Sequence, residues 1–472
     1  MKLNKRILIV MSAVLSLFVV MVGYLTYFTL TQSEKLVNSE YNNARQIEKE
    51  QRILRGEIFD RQGTVLAETK YSGNLRVRSY PYKGLYTHSI GYSSINYGKS
   101  NLELSYNKYL MRSRDFFELW EMDAENDAYK EGADLHLTLD HGMTELAASL
   151  MQGSNGSVVV LNPKTGEIYC LYSNPTFDPN ESALKENWSE LNARDDAPFL
   201  ARTTKGLYPP GSTFKVITAE AGLRSGNGGY RTDDKGKTIV GSKEFKNHSG
   251  KSYGNIGMED AIRVSSNVYF TELSEKIGKE TFVETIEKFL IHEDISFDIP
   301  TSSRTIDYSG LDKAGMAAVS IGQGELLVTP LKMAMVAGAV ANNGMMMQPY
   351  LVESASYNDG SVVYEAKPKS LSKAMNTKDA QKINEYMVGC VEGGTGTAAR
   401  VSGIKVAGKT GTAENEREGK DHGWFIGFAP ADDPQIAICV MKEYSGRGGG
   451  SVCAPVARDI IRYAYNNGLI TK

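Results

Sequence analysis

The chain has 472 residues, 41% of them hydrophobic, enough to bury a large core and to divide into two or more domains. A formal net charge of -3, without a long run of like charges, gives no long-range pull on polyanions and argues against nucleic acid as a partner. The four cysteines (Cys170, Cys390, Cys439, Cys453) have neither C-x-x-C pairing nor metal-type histidine spacing; they read as buried, unpaired core residues, with a Cys439 to Cys453 bridge left open.

Ile7 to Leu30 contains no Asp, Glu, Lys or Arg and follows Lys2, Lys5 and Arg6. These 24 residues are long enough to cross a bilayer, and Thr29 to Ser33 supplies no small-x-small cleavage site. The stretch is expected to be an uncleaved transmembrane signal anchor (7–30), with residues 1–6 as a cytoplasmic tail and the remainder outside a bacterial cell membrane. An outer region has no ATP to draw on, so its substrate must carry its own reactive bond. Gln32 to Leu54 is polar and reads as a stalk. Arg55 to Ala67 (RGEIFDRQGTVLA) reads as two short strands joined by a turn at Asp60-Arg61-Gln62-Gly63. Glu103 could be taken for a catalytic carboxylate, but a structural role is expected. Asp134 to Asp140 (DLHLTLD) precedes a helix.

Gly156–Leu161, a turn at Asn162–Gly166 and Glu167–Tyr172 read as a hairpin that opens a sheet. Tyr208 to Leu223 (YPPGSTFKVITAEAGL) then follows a Pro-Pro-Gly turn into a helix that is apolar on most sides and belongs in the middle of a domain. Ser212 and Lys215 are three apart, so they share one helix face with Cβ atoms about 5–6 Å apart. A serine needs a neighbouring base to become a nucleophile, and a lysine made neutral by burial can serve. The pair alone is weak evidence, since roughly two such matches arise by chance at this length. Ser105 with Lys108, Ser182 with Lys185 and Ser370 with Lys373 are decoys.

Downstream, Ser265-Ser266-Asn267 places a hydroxyl beside an amide, able to bond a lysine and pass a proton, though a helix cap is the simpler use of such residues. Ile321 to Gly324 lacks a phosphate-loop pattern and reads as a tight turn before a packed helix. Val391 to Thr397 reads as a flexible loop. Val406 to Glu414 reads as an exposed edge strand, where Gly411 admits a substrate backbone, Lys409 supplies a cation, and Thr410 and Thr412 supply hydroxyls that suit a terminal carboxylate. Trp424–Pro430 and Gln435–Lys442 read as two more strands of the same sheet, and Val456–Tyr465 as a closing helix. Lys164-Thr165-Gly166 repeats the letters of Lys409-Thr410-Gly411, but on a hairpin turn ahead of the serine, and is assigned no catalytic role.

Ser212-x-x-Lys215, Ser265-x-Asn267 and Lys409-Thr410-Gly411 resemble, in order and approximate spacing, the motif set of the penicillin-recognising serine acyltransferases. RGEIFDRQGTVLA, Tyr80-Pro81-Tyr82, His88–Tyr92 and Asp134–Asp140 further resemble the class B penicillin-binding proteins, from about residue 55 onward. One departure is Asn101-Leu102-Glu103, where that family usually has Gly-Leu-Glu, which puts the local turn in question. The resemblance implies an α/β (α+β) transpeptidase domain (153–472) with a central antiparallel sheet flanked by helices, above a stalk and non-catalytic, elongated pedestal (31–152).

It also implies a peptidoglycan D,D-transpeptidase. Ser212 would attack the penultimate D-Ala of a stem peptide, Lys215 take its proton, and Ser265 with Asn267 relay a proton to the leaving D-Ala. Lys409, Thr410, Gly411 and Thr412 would form the carboxylate and backbone site, and the backbone N–H groups of Ser212 and Thr412 the oxyanion hole. No metal or organic cofactor is expected. The implied partners are stem peptides, lipid-linked precursor glycan, β-lactams and a multi-pass glycan polymerase. A D,D-carboxypeptidase is the closest alternative. A β-lactamase would be shorter, secreted and equipped with a deacylating base, and a β-lactam sensor would need a larger cytoplasmic portion or more spans.

The choice between the two Lys-Thr-Gly sites is testable by penicillin labelling. Lys164→Ala is expected to leave labelling nearly unchanged and Lys409→Ala to reduce it strongly; equal losses would overturn the assignment.

Overall fold

The computed structural model describes residues 5–31, 53–72, 75–112, 131–415 and 420–471. The first helix, α1, spans Lys5–Thr31; its stretch Lys5–Phe28 has a mean hydropathy of 2.6, and every side chain from Lys5 to Tyr27 is exposed. At 1.5 Å per residue it exceeds the roughly 30 Å of a bilayer's hydrocarbon core. An apolar helix of this length, with its side chains exposed from Lys5 to Tyr27, fits a single-pass membrane anchor. Most of the expected stalk, 32–52, lies outside the described residues.

The sequence RGEIFDRQGTVLA folds as expected. Strand β1 (Ile58–Phe59) turns through Asp60 to Gly63 into β2 (Val65–Ser72), and β3 (Leu75–Ser79) follows. Asp60 Oδ1 accepts from the N–H groups of Gln62 (2.9 Å) and Thr64 (2.7 Å), so the side chain closes the turn. Strand β4 (Asp134–Leu137) lies parallel to β1. Helix α2 (His141–Leu150) follows, with Asp140 as its N-cap accepting from Met143 N.

A second, five-stranded sheet comprises β5 (Gly156–Leu161), β6 (Ile168–Asn174), β9 (Ala407–Ala413), β10 (His422–Ala429) and β11 (Ile436–Lys442). Its order is β9-β10-β11-β5-β6, with every neighbouring pair antiparallel. Between these strands in sequence, β7 (Val352–Ser356) and β8 (Val362–Glu365) leave for the first sheet, whose order is β8-β7-β4-β1-β2-β3. Further helices include α3 (Lys215–Arg224), α4 (Met258–Val264), α5 (Asn267–Ile277), α6 (Pro330–Ala341), α7 (Thr377–Gly393) and α8 (Ala454–Asn466).

Alternation along the strands divides the interior in two. Val158, Val160, Phe425, Ile438 and Val440 pack toward α2 and α8, while Val159, Leu161, Ile426, Cys439 and Met441 share the other core with α6. Both faces are thus dry, which is why these strands read as nearly continuous apolar runs. All four cysteines are buried free thiols, so the bridge left open between Cys439 and Cys453 does not form. The flexible loop expected at Val391–Thr397 is corrected in part. Helix α7 runs through Val391 to Gly393, because buried Val391 continues the apolar face of Met387 and Cys390; Gly394 N then bonds Cys390 O at 3.1 Å and only 394–396 connect onward.

Glu103 has the structural role expected of it. Its carboxylate is fully buried and receives Arg55 Nε at 2.6 Å, Arg78 Nε at 2.7 Å and Tyr80 OH at 3.2 Å. Burial pushes the carboxyl pKa up, but the two guanidinium groups outweigh it and hold the group at about 2. Asn101, beside it, has φ +47, a left-handed conformation that asparagine tolerates better than most residues. Its Nδ2 donates to Thr87 O (3.2 Å) and His88 O (3.1 Å), which resolves the departure from Gly-Leu-Glu.

Glu103→Gln leaves two buried guanidinium groups without their counter-charge and is expected to cost roughly 3–5 kcal/mol in denaturant unfolding. The wild-type contribution is present above the unfolded pKa, near 4.5, and is lost as pH falls through about 2. The stability difference between the two proteins should therefore shrink at strongly acid pH.

Candidate active site

Three separate stretches of chain converge around one lysine amine: the serine turn and Ser265–Asn267 bond it, and Lys409 reaches it through the shared Ser265 hydroxyl. Gly211–Phe214 forms a 3-10 turn that feeds α3, so Ser212 precedes the helix proper and Lys215 opens it. Thr213 Oγ1 ties the turn by donating to Pro210 O at 2.7 Å. Gly211 is required here: its φ is +53, and a Cβ would lie 2.4 Å from Thr412 O, so only glycine lets the serine turn lie flush against β9. Gly211 N donates to Gly322 O at 2.9 Å, which gives the Gly-Gln-Gly run its use as a backbone brace, the tight turn expected.

Lys215 Nζ lies 3.0 Å from Ser212 Oγ, 2.6 Å from Asn267 Oδ1, 2.8 Å from Ser265 O and 3.3 Å from Ser265 Oγ. Lys409 Nζ reaches the same Ser265 Oγ at 2.8 Å and bonds Thr410 O at 2.9 Å. Both lysines are fully buried, whereas Ser212, Ser265, Asn267 and Thr412 are half-buried and open the cluster to solvent. Burial lowers the Lys215 pKa well below that of an ordinary lysine; the charge of Lys409 lowers it further and Asp234 opposes. Burial also lowers Lys409, to about 8. The more depressed Lys215 is the group able to stand neutral as a base, while Lys409 keeps its charge at neutral pH.

The Ser-x-Asn tripeptide combines a cap with the site. Ser266, the middle residue, is the N-cap of α5, accepting from Tyr269 N, and the flanking Ser265 and Asn267 turn toward Lys215. Ser265 sits at φ +60, ψ +42.

Strand β9 is at the sheet edge as expected, but it is less exposed than the sequence suggested. Helix α7 and the serine turn cover it, so Ala407–Gly411 are buried and Thr412 is half-buried. The Thr410 hydroxyl lies 2.5 Å from Thr395 Oγ1, with Cys390 Sγ 3.4 Å beyond. Thr395 is thus a neighbour that sequence reading missed, hidden in a Gly-Thr-Gly run that looks like a connector. Asp234 and Asn247 were missed likewise, as ordinary polar residues in a charged hairpin region.

The decoys stay apart from this cluster. Ser105, Lys108, Ser182, Lys185, Ser370 and Lys373 are all exposed, so none of those lysines gains the burial that a neutral amine needs. Lys164 pairs with Asp433 at 2.6 Å, about half exposed.

Residues 156–462 match the family described as penicillin binding protein transpeptidase domain, and 55–133 match the penicillin binding protein A dimerisation domain. The chain is 31% identical to the peptidoglycan D,D-transpeptidase MrdA of Acinetobacter baumannii, over 82% of this chain and 66% of that protein. It is 29% identical to the peptidoglycan D,D-transpeptidase PbpA of Mycolicibacterium smegmatis, over 89% of this chain and 92% of that protein. The ceftriaxone acyl-enzyme structure of penicillin-binding protein A from M. tuberculosis superposes with a TM-score of 0.83 at 27% identity, covering 89% of this chain and 99% of that one. With its fold, and more than half of its length matched by one family, the chain belongs to the penicillin-binding protein transpeptidases.

Proposed function

We propose that this protein is a serine D,D-transpeptidase that cross-links peptidoglycan stem peptides and is acylated by β-lactams. The single observation that carries the reading is a buried amine 3.0 Å from a half-buried serine hydroxyl, in a chain of this family. Ser212 Oγ attacks the carbonyl carbon of the penultimate D-Ala while its proton passes to Lys215 Nζ. The new Oγ–C ester bond forms and the C–N bond to the terminal D-Ala breaks. Ser265, within 3.3 Å of Lys215 Nζ and 2.8 Å of Lys409 Nζ, relays the proton to the departing amine. Asn267 orients the base through its Oδ1.

Lys409, with Gly411 and Thr412 on the edge of β9, receives the terminal carboxylate and the substrate backbone, and Thr410 supports that strand through Thr395. The N–H groups of Ser212 and Thr412 hold the developing oxyanion, a contribution often worth about 3 kcal/mol per donor. The amine of a second stem peptide then attacks the ester, forms the cross-link and frees Ser212. Helix α1 supports a single-pass anchor with the catalytic part outside the cell membrane. A multi-pass glycan polymerase working beside it completes the reading, since cross-linking needs newly made glycan strands.

Mass spectrometry after penicillin treatment is expected to find one adduct, on the peptide containing Ser212. Ser212→Ala removes it, and labelling that persists would mean another nucleophile. With natural substrate and a second stem peptide, cross-linked product is expected to exceed hydrolysed product; free acid alone would indicate a carboxypeptidase.

The rate constant for acylation should be bell-shaped in pH. It rises as Lys215 loses its proton, with pKa well below an ordinary lysine's, and falls near pH 8 as Lys409 loses its charge. Lys409→Arg, which keeps a permanent charge, is expected to act more slowly but without the alkaline fall.

A further inference from the structure

Two buried residues outside all three motifs hold the middle one. Asp234 ends the strand Arg231–Asp234 and is fully buried. Its carboxylate accepts from Gly236 N (2.8 Å), from Asn247 Nδ2 (2.8 Å to each oxygen) and from Ser266 Oγ (2.6 Å). Asn247, 3% exposed, also donates to Lys251 O at 2.9 Å and turns its Oδ1 to the backbone N–H groups of Asn267 (2.7 Å) and Val268 (3.1 Å). Ser266 Oγ, held by Asp234, accepts from Tyr269 N at 3.0 Å. The N–H groups at the start of α5, which have no carbonyl within the helix to bond, are therefore taken up by one connected set of side chains.

The set matters because of the residue next to it. Ser265 has left-handed φ and ψ, a conformation that costs a non-glycine residue about 1–3 kcal/mol and persists only where its surroundings impose it. That conformation is what directs both Ser265 O and Ser265 Oγ at Lys215 Nζ. One residue on, Asn267 presents Oδ1 to the same amine while Asn247 grips its N–H.

We propose that Asp234 and Asn247 are positioning residues for the acyl transfer, clamping the strained Ser265–Asn267 turn onto Lys215. The proposal rests on the acyl-enzyme reading above. A second effect follows from charge. The charged groups that face Lys215 are Asp234, which favours its protonated form, and Lys409, which disfavours it. Asp234 thereby limits how far burial can lower the proton affinity of the base.

The test is the rate constant for penicillin acylation of the full chain as a function of pH, for wild type, Asp234→Asn and Asn247→Ala, each shown to be folded by thermal melting. A displacement of reacting groups by about 1 Å costs on the order of 100-fold in rate, and a loss of that size is expected in both variants. In Asp234→Asn the acid limb should also move to lower pH, because the carboxylate that favours protonated Lys215 is gone; in Asn247→Ala it should stay. Rates within threefold of wild type overturn the proposal, and so does an Asp234→Asn rate loss with an unmoved limb, which would mean a merely structural role. Where Asp234→Asn does not fold, the rate of Asn247→Ala decides. A wild-type protein that penicillin does not acylate at Ser212 would instead sink the functional reading itself.

Discussion

A lysine side chain without water must find its partners in the protein, and Lys215 finds them in Ser212, Ser265 and Asn267. A buried polar group left unbonded is costly, so this one amine imposes its geometry on every segment that reaches it. The serine turn must lie against β9, the turn before α5 must adopt a left-handed residue, and Lys409 must come in from the sheet edge. Each of these is unfavourable in isolation. Together they place the proposed nucleophile 3.0 Å from the proposed base and join the cation to that base through Ser265 Oγ, the preorganisation that the proposed acyl transfer needs before any substrate arrives.

The two lysines differ in what burial does for them. Lys215 also sits beside a second positive charge, and so surrenders its proton first; Lys409 is lowered by burial to about 8 and remains charged at neutral pH. Two groups of the same chemical type are in this way separated into the proposed base and the proposed electrostatic anchor, by the burial of both and by the Lys409 charge acting on Lys215 against Asp234. Ser265 Oγ, shared between them at 3.3 and 2.8 Å, both donates and accepts, which is what the proposed proton relay asks of it.

Much of this was legible in the sequence, for a definite reason. Ser212 with Lys215, Ser265 with Asn267, and Lys409 to Thr412 are each local, so short spacing encodes their relative placement, and the Pro-Pro-Gly turn and apolar helix mark the segment that must be central. The strands of the large sheet were legible because both of its faces are dry and its sequences are correspondingly apolar. Asp234, Asn247 and Thr395 were not legible. Their significance lies in which distant group each side chain meets, and an aspartate two residues before a glycine looks like any turn residue. The burial of β9 was missed because helix α7 covers it, and the last turn of that helix was mistaken for loop on the strength of its glycines. Pattern alone also cannot show which sheet a strand joins, so nothing foretold that Val352–Glu365 pairs with the N-terminal strands.

That pairing has a consequence for dissecting the molecule. Strand β7 is bonded on one side to β8 and on the other to β4, more than 200 residues earlier in the chain. The two halves of the protein are therefore laced together rather than strung in series. A fragment cut to begin after β4 would keep β7 but strip its inner edge, exposing unpaired backbone that invites association with other chains. Soluble expression of the catalytic half thus calls for retaining the N-terminal strands, and a lesion in either half has a path through shared backbone bonds to the other.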